Sequence, residues 1–482
     1  MDPSSGFSTA LQNAVNAVSG VLTDYVLVTV LLIVAVVFTV RTRGVQFRMA
    51  GEMLHLLVRS GRRDNDRRQN DAPAHGNISS FQAFALSIAS RVGTGNLAGV
   101  ASAIALGGPG AVFWMWVIAI LGAASAFVES TLAQLFKVKG DKSFRGGPAY
   151  YILKGLHKRW WAVTFAVLIT LTFGFAFNSV QSNTISDALN ASFAIPREAT
   201  AGVLCLLTLA IICGGVQRIS RVSEIVVPVM AIAYIVLALV IIAMNIGRFP
   251  EIMMLIVRNA FGADEILGGS VGAAMVMGIK RGLFSNEAGE GSTPNAAATA
   301  SVSHPVKQGL IQTLGVYTDT LLVCTATAFI ILCSGIYTGG HDGIVLTQQA
   351  IDAGLGGDHR FGSIFVSVAI FFFAFTSIIA NYYYGETNIR FIRNSDLAVR
   401  IYRLLVAAIV YAGAVVSLDL VWGFADITMA LMTLCNLAAI IMLGKYAIRL
   451  LKDYQDQKRE GKDPVYRSST IPEIASETEC WE

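Results

Sequence analysis

Charged residues are scarce in this sequence. Asp, Glu, Lys and Arg make up 14% of its 482 residues, whereas hydrophobic residues make up 54% and the mean hydropathy is +0.60. Soluble globular proteins average about 25% charged residues. The composition therefore excludes an ordinary soluble domain and indicates a polytopic membrane protein.

Several motifs of enzymes and metal sites are also missing. The sequence has no phosphate-binding Gly-x-x-x-x-Gly-Lys-Ser/Thr motif, so ATP-driven transport is not favoured. Its six histidines form no His-x-x-x-His pair, and its six cysteines lack the spacing of a metal site. The sequence therefore does not predict an enzyme.

Long apolar runs supply the positive evidence. A hydrocarbon core of about 30 Å needs about 20 apolar residues per helix, and we expect about 11 transmembrane helices. The runs lie at about 21–40, 81–106, 111–136, 160–186, 199–215, 223–246, 266–300, 309–335, 362–386, 401–420 and 424–448. The fold class predicted is an all-α polytopic membrane protein.

Basic residues set the predicted orientation. The net charge of +4 could suggest an anionic partner such as nucleic acid, but the basic residues collect between spans. The loop after the first span is rich in arginine, which predicts that it lies in the cytoplasm. Its arginines are Arg41, Arg43, Arg48, Arg59, Arg62, Arg63, Arg67 and Arg68. Later loops and the tail follow the same bias, so we expect an outside N-terminus and a cytoplasmic C-terminus.

Two of the spans are interrupted by glycine and polar residues. The first interruption is residues 91–96 (RVGTGN), and the second is residues 277–292 (MGIKRGLFSNEAGEGS). An unwound turn survives in hydrocarbon only where protein, water or a ligand covers its backbone. Paired interruptions at matching places in two halves point to the midplane binding site of a transporter.

The spans divide into two halves of opposite orientation. With the first span set aside as an accessory helix, ten remain as a 5+5 inverted repeat, and each half opens with a broken helix. We expect an N-terminal accessory and interfacial segment at 1–78, a first repeat at 79–250 and a second repeat at 251–450. Residues 451–482 are predicted to form a polar, mobile cytoplasmic tail.

The first break offers two kinds of ligand. Freed N-H groups at Gly93, Thr94, Gly95 and Asn96 would begin a half-helix, whose positive dipole end favours a carboxylate. Carbonyls near Ala89 and Val92 would face a cation instead. The alternative is that these glycines only let helices pack closely.

Polar groups in other spans could complete such a site. Asn178, Gln181 and Ser182 cluster on the fourth span, and Thr376 and Ser377 put two hydroxyls in the ninth. Interhelical hydrogen bonding and hydroxyl bonding to the helix's own carbonyls are the alternatives.

Ionisable residues within the spans are a further set of candidates. Lys280, Arg281 and Glu287 are predicted to approach the cytoplasmic face as gate or structural pairs, with direct contact to the substrate as the alternative. Met277 and Gly278 either line a pocket or pack. Three further acids could relay protons or pair locally. They are Glu129, Asp319 and Glu386.

Five motifs in order resemble the alanine/glycine:cation symporter family, the sodium:alanine symporters of the amino acid-polyamine-cation superfamily. The resemblance runs from about residue 21 to 450. The motifs are residues 91–100 (RVGTGNLAGV), 107–116 (GGPGAVFWMW), 146–151 (GGPAYY), 281–289 (RGLFSNEAG) and 382–386 (YYYGE).

This resemblance implies Na+-coupled uptake of a small neutral amino acid, alanine or glycine, by alternating access. It implies that Thr94, Gly95 and Asn96 hold the substrate carboxylate, with Gln181 and the Met277–Gly278 turn lining the pocket. By the same resemblance, Na+ is bound by the carbonyls of Ala89, Val92 and Phe373 and the hydroxyls of Thr376 and Ser377. The protein would lie in the plasma (inner) membrane.

The sequence departs from this family's pattern at Arg91, Glu290 and Asn381, and Asn381 lies beside the expected pocket. These differences leave a larger substrate such as glutamine as an alternative. A proton-coupled carrier that uses a buried carboxylate and, from another class, a channel or transport-like receptor remain the rival hypotheses.

Overall fold

The computed structural model describes residues 17–69, 78–140, 143–262, 271–357, 360–416 and 418–481, together with residues 13 and 15. The expected start of the seventh span, at about residue 266, lies outside these ranges. The two strands that the described residues contain form one short antiparallel pair, in which Val138 faces Arg145 and Lys139 faces Phe144.

The first half of the chain is helical apart from this pair. Its elements are α1 (Ala17–Arg41), α2 (Val45–Arg48), α3 (Ala50–Gln69), α4 (Ser80–Arg91), α5 (Gly95–Gly107), α6 (Ala111–Leu135), β1 (Val138–Lys139), β2 (Phe144–Arg145), α7 (Pro148–Leu156), α8 (Arg159–Phe193), α9 (Arg197–Ile212), α10 (Gly215–Met244) and α11 (Phe249–Ala260).

The second half continues the same pattern. Its helices are α12 (Val271–Asn286), α13 (Thr293–Ala297), α14 (Pro305–Ser334), α15 (Gly343–Gly354), α16 (Phe361–Ile392), α17 (Asp396–Val415) and α18 (Leu418–Arg459). Short 3-10 turns cover Ile246–Arg248, Ile336–Thr338, Ser468–Thr470 and Pro472–Glu477.

The expected number of spans agrees with these helices. Within the described residues, eight uninterrupted helices are long and apolar enough to cross a membrane. The 16-residue α9 and the two broken pairs, α4–α5 and α12–α13, correspond to the other three predicted spans.

Lipid-facing and protein-facing surfaces follow from the helical period. On α10, the side chains of Val229, Ile232 and Val236 recur every three to four residues and are 61%, 63% and 53% exposed. Exposing a stripe of apolar side chains has little free-energy cost where lipid replaces water. The broken helices, in contrast, are mostly buried, apart from the exposed start of α12.

A local signal begins the first broken helix. Ser79 Oγ accepts a hydrogen bond from Gln82 N at 3.1 Å, and Gln82 Oε1 accepts one from Ser79 N at 3.2 Å. This capping box satisfies two amides that the helix itself cannot. It begins α4 twelve residues before the interruption, so the break falls deep inside the bundle.

The tail differs from its prediction as a mobile segment. Helix α18 continues to Arg459, and the chain then folds back against the bundle as far as Trp481. Tyr466, Ile471, Ile474 and Trp481 are all buried. The sequence does not predict this packing, because the four apolar residues are spaced irregularly in a segment that is otherwise polar and charged.

Candidate functional site

The first break lies where the sequence predicts it. Helix α4 ends at Arg91, Val92 is extended, and α5 begins at Gly95. A Cβ atom on Gly93 would lie 2.7 Å from Gln181 Oε1, which is closer than real Cβ contacts allow. Glycine therefore gives the Gln181 side chain of α8 room to reach the open backbone, and a larger residue would have to displace that side chain.

Oxygen atoms from the end of α4 and the middle of α16 form a cluster. Ser377 Oγ donates to Ala89 O at 2.8 Å and lies 3.1 Å from Phe373 O and 3.5 Å from Val92 O. Thr376 Oγ1 donates to Phe373 O at 2.9 Å. All five residues are fully buried. Carbonyl and hydroxyl oxygens are ligands for hard cations, so this donor set fits a cation such as Na+.

Amide groups on the other side of the break are held by side-chain oxygens. Gly93 N donates to Asn96 Oδ1, and Thr94 N donates to Gln181 Oε1, both at 2.9 Å. The buried Thr94 Oγ1 has no hydrogen-bond partner among the described residues. A Cβ on Gly95 would lie 3.0 Å from the Phe284 ring, so α12 closes over this side. Neutral amide oxygens at these N-H groups are replaceable by a carboxylate, which binds them more strongly.

Asp319 lies next to this amide cluster. Its carboxylate accepts hydrogen bonds from Asn96 Nδ2 at 2.6 Å, Ser285 Oγ at 2.8 Å and Thr320 Oγ1 at 3.0 Å. It is fully buried, in a π-helical stretch of α14 (Tyr317–Cys324). Such stretches are frequent at functional sites. The sequence presents Asp319 only as one acid among several, because the contact with Asn96 spans 223 residues.

The second break is shorter than the predicted interval. Helix α12 continues through Met277 and Gly278 to Asn286, and the chain unwinds only between Glu287 and Ser292. The unwound backbone has positive φ at Glu287, Gly289 and Gly291.

Met277 and Gly278 therefore belong to a continuous helix. A Cβ on Gly278 would clash with Ala111 O and lie 2.8 Å from Trp114 Cβ, and one on Gly107 would lie 2.8 Å from Met277 Cβ. Both residues pack against neighbouring helices, which corrects the expectation of an unwound turn at this point. Small-residue packing and a break share the same glycine signal in a sequence.

Two buried glutamates hold the second break open. Glu129 Oε1 and Oε2 accept hydrogen bonds from Gly289 N and Gly291 N, each at 3.1 Å. Asn436 Nδ2 adds a third donor to Glu129 at 2.8 Å. Glu287 Oε2 accepts from Ser292 Oγ at 2.6 Å. These carboxylates satisfy backbone and hydroxyl groups that the unwound chain cannot pair internally.

Ser90 connects the two breaks. Its hydroxyl lies 2.5 Å from Glu287 Oε1 and 2.8 Å from Asn381 Oδ1. Asn381 follows Ser377 by one turn of α16 and contacts the last turn of α4 through Ser90. Its Nδ2 has no partner among the described residues. The arrangement joins α4, α12 and α16 through a single buried hydroxyl.

Lys280 and Arg281 form ion pairs at the opposite end of the bundle from the one expected. Arg281 binds Asp426 through two bonds of 3.2 Å, and Lys280 Nζ lies 2.8 Å from Asp426 and 3.5 Å from Asp24. Asp24 and Asp426 lie near the starts of α1 and α18, whereas the C-terminal tail packs at the other end of α18. In the predicted orientation these cations therefore lie toward the outer end of the bundle, which corrects the expectation that they approach the cytoplasmic face.

An aromatic layer separates this ion cluster from the first break. The Phe284 ring lies 4.5 Å from that of Phe177 and 4.8 Å from that of Trp422, measured between ring centroids. The guanidinium of Arg281 lies 4.2 Å from the centroid of Trp422. The layer covers the amide side of the break.

The departures at Arg91 and Glu290 are both buried. Arg91 Nη1 donates to Gln312 O at 3.1 Å, and its Nε and Nη2 have no partner among the described residues. Both carboxylate oxygens of Glu290 likewise have no hydrogen-bond partner within the described part of the chain. Nothing in the structure explains why Glu290 is acidic.

An all-helical membrane bundle in which two unwound helices meet is the architecture of a secondary transporter. The fold is similar to that of MhsT in complex with L-phenylalanine, with a TM-score of 0.57 and 14% identity over 83% of this chain and 93% of that one. It is also similar to a manganese transporter of Eremococcus coleocola, with a TM-score of 0.54 and 13% identity over 82% and 91% of the two chains. The predicted fold class is confirmed.

A sequence model of the sodium:alanine symporter family matches residues 8–468, and the chain belongs to that family. It is 49% identical to the probable sodium/glutamine symporter GlnT of Bacillus subtilis, over 98% of this chain and 96% of that protein. It is 36% identical to the sodium/alanine symporter AgcS of Methanococcus maripaludis, over 82% and 88% of the two chains. The resemblance read from the five motifs is thereby confirmed.

Proposed function

We propose that this protein couples the inward movement of Na+ to the uptake of a small neutral amino acid. The observation that carries the proposal is that one break presents a cluster of carbonyl and hydroxyl oxygens on one side and replaceable amide N-H groups on the other. The first set suits a cation, and the second suits the carboxylate common to all amino acids.

The cation would be held by the carbonyls of Ala89, Val92 and Phe373 and the hydroxyls of Thr376 and Ser377. The substrate carboxylate would replace Asn96 Oδ1 and Gln181 Oε1 at the amides of Gly93 and Thr94, with Gly95 giving it room. Asn381 would face the rest of the substrate, because it lies next to both breaks.

Alanine or glycine is the substrate that we propose first, with glutamine as the alternative. The names of two relatives support either a small or a larger substrate, since one is a probable sodium/glutamine symporter and another is a sodium/alanine symporter. Competition by the three amino acids in the uptake experiment described below would distinguish them.

Coupling follows from the position of the cation ligands. They come from α4 and from α16, so a bound cation holds the broken helix against an unbroken one and fixes the shape of the amide site. A ligand shifts a conformational equilibrium only by its differential affinity for the two states. Na+ would then favour the state that binds substrate. The cycle would be completed when the site between the two breaks opens first to one side of the membrane and then to the other.

We further propose a plasma (inner) membrane location with the N-terminus outside and the C-terminus in the cytoplasm. The positive charge between α1 and α4 supports this orientation. The proposed repeat boundaries are 79–250 and 251–450, each opening with one of the broken pairs, after the accessory segment 1–78. In this orientation the Lys280–Asp426 cluster faces outward.

The test is uptake of radiolabelled alanine by proteoliposomes with an imposed Na+ gradient, beside K+ and proton gradients of equal size. Accumulation driven by Na+ alone supports the proposal. Accumulation that follows the proton gradient and is lost in Asp319→Asn would instead support a proton-coupled carrier. Binding without accumulation of any of the three amino acids would contradict a carrier and favour a receptor.

A further inference from the structure

The C-terminal segment Asp463–Trp481, called the strap below, is bonded to the bundle at both of its ends. Tyr466 N donates to Ser303 O, and Ser303 Oγ donates to Pro464 O, both at 2.9 Å. At the far end, Trp481 Nε1 donates to Gln134 O at 3.0 Å. The rings of Tyr466 and Trp481 are buried against each other, with centroids 5.5 Å apart.

The strap covers the place where the two broken helices meet at this face. Residues 298–304 connect α13 to α14, and Ser301 N donates to Ile78 O, just before α4, at 3.0 Å. The strap bonds this connection through Ser303. Gln134 and Lys137, which hold Ala300 O at 3.0 Å, lie under the Trp481 end. The strap thus bridges elements that must separate for this face to open.

A basic pocket lies beside the first anchor. It is a cavity of about 360 Å³ with two cationic side chains, Arg59 and Lys307, among its lining residues. Hydroxyl groups of Ser60, Ser79 and Ser303 also line it. Ser79 is the N-cap of α4, so the positive end of a 12-residue helix faces the same space.

Among the described residues, one carboxylate pairs with both cations of this pocket. Asp463, the first residue of the strap, lies 3.3 Å from Arg59 Nη2 and forms an ion pair with Lys307 Nζ. Lys307 also donates to Ser303 Oγ at 2.8 Å, which links the pocket to the Tyr466 anchor. Asp463 is itself about half exposed, so its ion pairs with Arg59 and Lys307 are accessible to competition from solution or from the membrane surface.

We propose that the Arg59–Lys307 pocket is a binding site for a phosphate group, which displaces Asp463 and undocks the strap. Guanidinium, ammonium, hydroxyl and helix N-terminal N-H groups are the donors that phosphate prefers. A phosphate dianion or phosphodiester satisfies more of them than one carboxylate. The source is either free phosphate or the headgroup of an anionic lipid. If the proposed function holds, undocking speeds the opening of this face and raises the transport rate.

Strap undocking is measured as the rate at which trypsin cleaves after the exposed Arg467, from the mass of the released peptide 468–482. Purified full-length protein is compared in phosphate and in sulfonate buffer of equal ionic strength, and in nanodiscs of phosphatidylcholine with or without phosphatidylglycerol. We expect phosphate, or phosphatidylglycerol if the source is a lipid, to raise the rate about fivefold, as the loss of about 1 kcal/mol of ion pairing predicts.

Variants distinguish the binding of phosphate from the docking of the strap. Asp463→Asn is expected to be cleaved rapidly without phosphate and to gain more thermal stability from phosphate than the wild type does. Lys307→Gln and Arg59→Gln should also be cleaved rapidly but should lose the stabilisation by phosphate. The control is Lys452→Gln, another exposed lysine on α18, which should behave as the wild type in both measurements.

The proposal is overturned if neither phosphate nor phosphatidylglycerol changes the cleavage rate and neither stabilises Asp463→Asn. Equal effects on wild type and Lys307→Gln would overturn it as well, since the anion would then act elsewhere. Because cleavage and stability are measured without transport, failure of Na+-driven uptake would contradict the proposed function and leave this site standing.

Discussion

Ser377 has a hydroxyl group placed between two helices that a transporter must hold together and release. Its three neighbouring oxygens belong to Ala89, Val92 and Phe373. In this structure the hydroxyl donates its proton to a carbonyl, and a bound cation would take lone pairs from the same atoms instead. Substitution of this residue would therefore test the proposed cation site with little change to packing.

We predict that Ser377→Ala raises the Na+ concentration needed for half-maximal uptake by about tenfold, since a ligand is lost from the first coordination sphere. Uptake against Na+ concentration in proteoliposomes measures it. Ser179→Ala is the control, because Ser179 Oγ bonds a carbonyl of its own helix, Phe175 O, at 3.0 Å. An unchanged Na+ dependence in Ser377→Ala, and in its double variant with Thr376→Ala, would contradict this cation site.

Gln181 tests the amide side of the same break. We predict that Gln181→Glu raises the KM for alanine by about tenfold or more, because a fixed carboxylate at Thr94 N repels the carboxylate of the substrate. Gln181→Leu is the matched control. It removes the acceptor without adding charge, so its KM should change much less. If the two variants have the same KM, the substrate carboxylate does not bind at Thr94 N.

At the scale of elements, the two broken helices differ in how far the sequence predicts them. The first break falls inside the predicted interval 91–96, because glycine alternates with short polar side chains there. The second is misplaced toward Met277 and Gly278, because a glycine that unwinds a helix and one that packs against Ala111 look alike. Only the tertiary contacts of Glu129 with Gly289 and Gly291 distinguish them.

Asp426 is the centre of the ion cluster that joins α12 to α18. We predict that Asp426→Ala destabilises the protein by about 3 kcal/mol, because it leaves the buried Arg281 without its carboxylate partner and Lys280 with the more distant Asp24. Thermal unfolding of the purified protein measures the loss. Asp24→Ala is the control. Asp24 is one-third exposed and contacts only Lys280 at 3.5 Å among the cations described, so its loss should cost less than about 1 kcal/mol.

His304 makes the stability of the start of α14 depend on pH. Its Nδ1 accepts a hydrogen bond from Val306 N at 3.2 Å, and its Nε2 lies 3.1 Å from Asp453 Oδ2. Burial lowers the pKa of His304 below its ordinary value, although Asp453 opposes the shift and Lys307 adds to it. The folded state therefore holds the imidazole neutral, with Nδ1 free to accept.

Because the unfolded chain binds this proton more readily, the stabilisation by neutral His304 is present above about pH 6.5 and is lost as the pH falls below that value. We predict faster hydrogen exchange of the Val306 amide at pH 5.5 than at pH 7.5, after correction for the intrinsic rate. His304→Asn keeps a capping acceptor that does not titrate. If this variant shows the same change, another group is responsible.

At the scale of the whole molecule, the number of spans and the family were predictable from the sequence. The contacts that hold the strap to the bundle and that join the two halves were not. Apolar length sets the spans, and five ordered motifs identify the family. The strap was missed because Tyr466 and Trp481 are single aromatic residues in a charged segment, with no period to reveal them. The Asp319–Asn96 contact was missed because the two residues come from different halves of the chain.

Coupling between ion and substrate is a property of the whole bundle. The proposed cation ligands come from α4 and α16, and the proposed amide site lies at the other side of the same break, so each ligand should stabilise the conformation that the other binds. We predict that alanine at 100 times its Kd stabilises the protein by about 2.7 kcal/mol in Na+ and by much less in choline. By reciprocity, alanine must raise the affinity for Na+ by the same factor by which Na+ raises the affinity for alanine. Thermal unfolding across a grid of both concentrations measures the two factors. Equal stabilisation by alanine in Na+ and in choline would mean that the oxygen cluster and the amide site act independently, and the break would then be a binding site without a coupling mechanism.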